Sequence, residues 1–214
     1  MASISGSRSA AEHAYHHVKQ AIITGRLPGG QLVTESEISE ELGISRTPAH
    51  EAFLRLGGER LLDLAGRRGA VVTPIAPREA QDVLEMRQVL EGAAARRVVA
   101  EGGPSADAVR ALAQILEQQR RHLDAADLES FVAADDAFHS AVVRASDNAI
   151  AVHFFTLLRD RQQRLRHQLL TTRPQHLPEV LDDHHRLLGC LTARDASGYS
   201  EVLARHVARH QGAL

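Results

Sequence analysis

Residues 32 to 56 read LVTESEISEELGISRTPAHEAFLRL, and this stretch decides the fold of the first third of the chain. Thr34 stands three residues before Glu37 and ahead of the apolar Ile38 and Leu42. That is the spacing of a capping box, in which the hydroxyl and the carboxylate each satisfy a backbone N–H of the first helical turn. A short helix follows. Gly43 breaks it, Ile44 is an apolar anchor, and Ser45 is placed to cap a further helix with Ala49, Ala52, Phe53 and Leu56 at helical spacing. Two helices joined by a tight glycine-containing turn predict a helix-turn-helix.

Upstream, Ala14, Val18, Ala21 and Ile22 recur at helical spacing over residues 10 to 25, and Gly25 with Leu27-Pro28-Gly29-Gly30 ends that helix. Downstream, the runs Leu61 to Leu64 and Ala70 to Thr73 flank Ala65-Gly66-Arg67-Arg68-Gly69 and read as a β-hairpin wing. Two prolines in Thr73-Pro74-Ile75-Ala76-Pro77 disfavour helix and mark a boundary. The expected organisation is a winged helix-turn-helix over 8–74 and a linker over 75–78. An antiparallel six-helix bundle for effector binding and dimerisation then occupies 79–214. Its helices are expected near 78–101, 104–123, 127–145, 149–171, 177–194 and 196–211, separated by Gly102-Gly103-Pro104, Asp147-Asn148 and Arg173-Pro174. The fold class is therefore mainly α.

Hydrophobic residues make up 43% and charged residues 24% of the 214, which supports a packed core rather than disorder. The N-terminus lacks the apolar core of a secretory signal, and no run approaches the ~18 apolar residues of a membrane span, so a cytoplasmic location is expected. Cys190 is the only cysteine and reads as a small helical core residue. Net charge is −2, and eight basic residues meet eight acidic ones over the first 76, so DNA binding has to rest on placement. Ser45, Arg46, Thr47 and His50 occupy the end of the second helix that enters a major groove, and Arg46 offers a planar fork to guanine or phosphate. Arg67 and Arg68 sit between glycines at the wing, suited to a minor groove or a phosphate track.

Histidine is conspicuous, thirteen residues against two tyrosines and five phenylalanines. At about 100° per residue, Asp135 and His139 fall together at the centre of the stripe Leu128, Phe131, Val132, Phe138, Val142 and Val143. A carboxylate there costs several kcal/mol unless it is paired or bound to metal. His184 is central to the stripe of Leu177, Val180, Leu181, Leu187, Leu188 and Leu191, with His185 turned outward. In the last helix both His206 and His210 lie on the side of Tyr199, Val202, Leu203 and Val207. A divalent ion, Zn²⁺ or Ni²⁺, suits one carboxylate with imidazoles from three helices.

The stretch from Leu32 to Leu56, with IITGRLPGG before it and GRRGAVV after it, resembles the winged-helix domain of GntR-type transcription regulators, and ELGISRTP is its most specific run. The helical remainder resembles the effector domain of the FadR subfamily. In that family the positions of Arg46, Thr47, His50 and the wing glycine Gly69 contact operator DNA, commonly an inverted repeat bound by a homodimer. Position 50 is typically arginine there and histidine here. Metal-binding members carry D-x-x-F-H, an acidic-His pair and a final His-aliphatic pair. These match Asp135 to His139, Asp183-His184 and His206-Val207, so the resemblance selects Asp135, His139, His184 and His206, with His210 outside the set. Arg87, in R-x-x-L-E, matches an arginine that holds a carboxylate or hydroxy-acid effector; its alternative is a salt bridge to Glu91. The expected protein is a regulator rather than an enzyme. A regulator that senses the metal itself is the alternative. A metal-dependent hydrolase is less favoured, because no further Glu or Asp was evident on the inward stripes.

Overall fold

A computed structural model describes the backbone of residues 3–66 and 69–211 and the side chains of 10–66, 69–170 and 173–209. Arg67 and Arg68 lie outside the described residues, as does the His210 side chain. The chain divides into two compact units, Met1–Ile75 and Ala76–Leu214.

The first unit holds α1 (Ser3–Ile23), β1 (Leu32–Val33), α2 (Glu35–Leu42), α3 (Arg46–Gly58), β2 (Leu62–Leu64) and β3 (Ala70–Val72). The capping box is formed: the Glu37 N–H donates to Thr34 Oγ1 at 3.2 Å, and the Thr34 N–H donates to Glu37 Oε2 at 2.8 Å. Gly43 ends α2 at φ +62°, a conformation glycine adopts without steric cost. Ser45 does occupy the N-cap of α3, but its hydroxyl makes no capping bond. Ala14, Val18, Ile22, Ile38, Ala52, Phe53, Leu56 and Val72 pack into one core beneath these elements.

The sheet has order β1-β3-β2, both pairings antiparallel, with Val33 opposite Ala70 and Leu62 opposite Val72. β1 is a third strand beyond the expected hairpin, and two residues are too few to leave an alternating pattern. Its carbonyl explains Gly69: at φ +103° a Cβ there would stand 2.6 Å from the Val33 oxygen. Lys19 and the Tyr15 hydroxyl both donate to Glu59, each at 2.8 Å, and tie α1 to the end of α3.

The second unit contains α4 (Pro77–Ala100), α5 (Ala106–Asp124), α6 (Leu128–Ala145), α7 (Ala149–Leu157), α8 (Arg159–Thr172), α9 (Leu177–Thr192) and α10 (Ala196–Gln211), with a 3-10 turn over Pro174–His176. The expected helices are present, and the one foreseen over 149–171 is divided at Leu158 into α7 and α8. Side-chain oxygens of Ser105, Asp127 and Asn148 accept first-turn N–H groups of α5, α6 and α7. α6 packs against α4, α5, α7 and α8, while α9 and α10 pack on each other and on α4. Phe131, Val132, Phe138, Val142 and Val143 bury the inner face of α6. Among the described residues no helix is long and apolar enough to cross a membrane.

Candidate functional site

In the first unit Ser45, Arg46, Thr47 and His50 are all exposed at the start of α3. They share that turn because Pro48, Ala49, Ala52 and Phe53 take the opposite face into the core. His50 is not free: its Nδ1 lies 2.7 Å from Glu35 Oε1 on α2. A cleft of about 420 Å³ separates α3 from the wing and is lined by Glu35, His50, Phe53, Leu54, Leu64, Gly66 and Gly69. Gly69 thus lies in the same cleft as His50, and its backbone closes the hairpin through its carbonyl, which accepts the Ala65 N–H at 2.9 Å.

In the second unit Asp135, His139, His184 and His206 converge, each offering a ligand atom within 4.8 Å of the others, and all four are fully buried. Asp135 and His139 come from successive turns of α6, His184 from the middle of α9 and His206 from α10. The imidazoles present Nε2 to a common centre: His139 Nε2 is 3.0 Å from His184 Nε2, and His184 Nε2 is 3.3 Å from Asp135 Oδ1. Behind each ring, Nδ1 faces an acceptor. His139 Nδ1 lies 3.0 Å from Glu91 Oε1 on α4, His184 Nδ1 lies 2.8 Å from Gln119 Oε1 on α5, and His206 Nδ1 lies 3.8 Å from Asp183 Oδ2 on α9. The Tyr199 hydroxyl donates to Glu91 at 2.6 Å, and Arg209 donates to Asp183 at 3.0 Å.

This pattern sets the tautomers. A ring whose Nδ1–H points at a carboxylate or amide oxygen carries its lone pair on Nε2, so the lone pairs of His139 and His184 point into the same small volume. Asp135 Oδ1 faces this volume beside His184 Nε2, and Oδ2 is 2.8 Å from Arg166 Nε on α8. Lone pairs gathered in a buried space repel unless a cation lies among them, and the outer acceptors are those that orient metal-binding imidazoles. The donor set of three nitrogens and one carboxylate oxygen fits a divalent ion of the zinc or nickel kind.

The ionisation states agree with that chemistry. Burial, reinforced by the Arg87 charge, holds the His139 pKa well below the usual imidazole range, so the ring is neutral near pH 7. Burial does the same to His206, against the pull of Asp183. Burial alone would raise the Asp135 pKa, but the Arg166 guanidinium together with His184 and His139 outweighs it and keeps the carboxyl ionised, well below its ordinary value. Arg166 also donates to Asp136 at 3.0 Å, which Arg159 and Gln163 reach from the same helix.

Arg87 sits fully buried on α4, one turn before Glu91, with Nε 3.7 Å from Glu91 Oε2. Its Nη2 is in close contact with His139 Nε2 and lies 3.0 Å from His206 Nε2. Arg87 also lines a constricted cleft with Val83, Leu84, Gln162, Leu165, Arg166 and Leu169. The space has no room for a water molecule as it stands.

Several partners leave little mark on the sequence. Glu91 and Asp183 are inward-facing carboxylates after all, but both sit behind imidazoles on the Nδ1 side. Gln119 follows Leu112 and Leu116 on the buried stripe of α5, and a polar residue at that register was the available signal. Arg166 lies on a helix charged around its circumference, where no periodicity singles it out.

The first unit is a winged helix-turn-helix and the second an all-helical bundle, the plan of a DNA-binding transcription regulator. Comparison with known proteins agrees. Residues 10–72 match the family of bacterial regulatory proteins described as gntR, and residues 82–209 match the FCD domain. The chain belongs to the GntR family and carries an FCD effector domain. It is 30% identical over 189 residues to the "Probable D-xylose utilization operon transcriptional repressor" of Paenarthrobacter nicotinovorans, covering 88% of this chain and 81% of that one. It is 26% identical over 199 residues to the HTH-type transcriptional repressor RspR of Escherichia coli (strain K12), covering 92% and 85%. The solved structure of E. coli McbR/YncC shares the fold, with a TM-score of 0.75 at 24% identity over 93% of each chain. These relatives are regulators, not enzymes.

Proposed function

We propose that this regulator is of the FadR subfamily and binds an inverted-repeat operator as a homodimer. A small carboxylate or hydroxy acid, held at a divalent metal centre in the second unit, controls its DNA affinity. The observation that carries the reading is the convergence of three Nε2 atoms and Asp135 with an acceptor behind every ring. Asp135, His139, His184 and His206 hold the ion, zinc or nickel, which when bound supplies a Lewis-acidic position for an effector oxygen. Arg87 supplies a charge-assisted partner for the effector's carboxylate. On the DNA side Arg46 reads a base edge or clamps a phosphate, and Ser45, Thr47, His50 and the Gly69 backbone fix its register. Arg67 and Arg68 complete the wing contact. His50, held by Glu35, reaches DNA as a shorter donor than the arginine that the family resemblance leads one to expect there.

A second reading, that the metal alone is the signal, is favoured by the constricted cleft beside Arg87, which excludes even water. One experiment separates the two. Operator affinity is measured by fluorescence anisotropy on chelator-treated protein, then with zinc, then with zinc plus a panel of dicarboxylates and hydroxy acids. A response only in the last arm supports the effector reading, and a full response to zinc supports the second. No zinc bound in any arm defeats both.

A further inference from the structure

Arg87 is in the wrong place for a residue whose only task is to greet an anion. Its Nη2 is shared between His139 Nε2 and His206 Nε2, two of the nitrogens that a metal needs. His139 Nε2 carries a lone pair, since its Nδ1 lies 2.9 Å from Glu91, and His206 is turned the same way, with Nδ1 on the side of Asp183 at 3.8 Å and Nε2 toward Arg87. A guanidinium N–H pointing at two imidazole lone pairs is a favourable charge-assisted contact, and in a fully buried site it relieves the repulsion of gathered donors. The same lone pairs cannot serve the guanidinium and a metal ion together.

We infer that Arg87 is a built-in surrogate cation: it plugs the metal centre in the metal-free protein and is expelled from the His139 and His206 nitrogens when a divalent ion binds. The inference rests on the metal reading above and adds the order of events at that site. The Arg87 side chain already borders the cleft toward Gln162 and Leu165, which has to widen to receive the guanidinium. Arg166 lines the same cleft, and its pairing with Asp135 and Asp136 offsets the charge that an approaching Arg87 would meet. An expelled Arg87 therefore becomes available to a carboxylate only after metal entry, so metal and acidic effector bind with positive coupling. Glu91, one turn along α4, remains bound to His139 Nδ1 and Tyr199 in both states and marks the pivot.

The plug has a measurable cost in metal affinity, because only the fraction of molecules with Arg87 displaced is competent. Zinc affinity is measured by chelator competition on the full chain for the wild type, Arg87→Met and Arg87→Lys. Removing charge-assisted contacts to two nitrogens is expected to tighten zinc binding at least about tenfold in Arg87→Met, with Arg87→Lys between it and the wild type. In parallel, arginine side-chain NMR of the wild type is followed during zinc titration. One protected guanidinium signal is expected to shift in step with the first equivalent. Zinc binding no tighter in Arg87→Met than in the wild type, or all guanidinium signals unmoved at one bound equivalent, overturns the exchange while leaving the metal reading standing. Failure of all three proteins to bind zinc removes both. Binding by Arg87→Met but not by the wild type is the strongest support. If the methionine variant does not fold, the lysine variant and the wild-type titration decide.

Discussion

Ser45, Arg46, Thr47 and His50 stand in water above a core of Ala49, Ala52, Phe53 and Leu56, whereas Asp135, His139, His184 and His206 are themselves part of the core they serve. The difference teaches where each set of side chains draws its geometry. Exposed residues at a helix start are positioned by the backbone, with His50 also held by Glu35, and leave folding largely indifferent to their identity. Buried imidazoles and carboxylates must each be satisfied, so Glu91, Gln119, Asp183, Arg166 and Tyr199 are recruited from five helices of the bundle. Function and stability are separable in the first unit and bound together in the second.

The largest effect that probes this contrast is His139→Ala. Loss of a single outer partner of a metal-binding histidine lowers metal affinity by about 10- to 100-fold. Loss of the ligand itself is therefore expected to exceed about 100-fold in chelator competition. Retention within tenfold would mean that the cluster is a polar core and nothing more. Next comes Gly69→Ala, which puts a Cβ against the Val33 carbonyl at positive φ and is expected to destabilise the first unit by about 1–3 kcal/mol. A urea midpoint unchanged from the wild type would show that the wing relaxes freely.

Arg46→Ala sharpens the comparison from the other side. Operator affinity is expected to fall by about 1–3 kcal/mol, while thermal stability stays within about 0.5 kcal/mol because the residue is exposed. An equal fall for Arg46→Ala on operator and random DNA would assign it to phosphate rather than to a base. The smallest effect is acid sensitivity of the metal-free protein. His139 and His206 have depressed pKa values when folded, so below the ordinary value near 6.5 the unfolded chain takes up protons that the folded chain refuses. Stability therefore falls as pH drops, by about 0.7 kcal/mol per histidine between pH 7 and pH 6. Calorimetry that finds metal-free stability flat across that interval would show these rings charged or exposed.

The legible parts of the molecule are those whose causes are local. Thr34 and Glu37 announce α2 because a capping box spans three residues, and Asp135 with His139 announces a shared face because a helix brings residues four apart together. His184 was legible for the same reason, at the centre of its own apolar stripe. β1 was not, since two residues hold no period, and neither was the break at Leu158, where neither proline nor glycine interrupts the chain. Glu91 read as a helical salt-bridge partner of Arg87; in the fold its shorter contacts are with His139 and Tyr199.

By itself the sequence determined the winged helix-turn-helix, the helical second unit and the inward direction of its ligand-type side chains, because caps, turns and helical periodicity act within a few residues. Only the tertiary structure decided which Nδ1 meets which acceptor, that Arg166 keeps Asp135 ionised, and that Arg87 lies on the imidazole nitrogens. Those contacts join residues up to 119 positions apart, and the packing of separate helices, rather than any spacing along the chain, sets their distances.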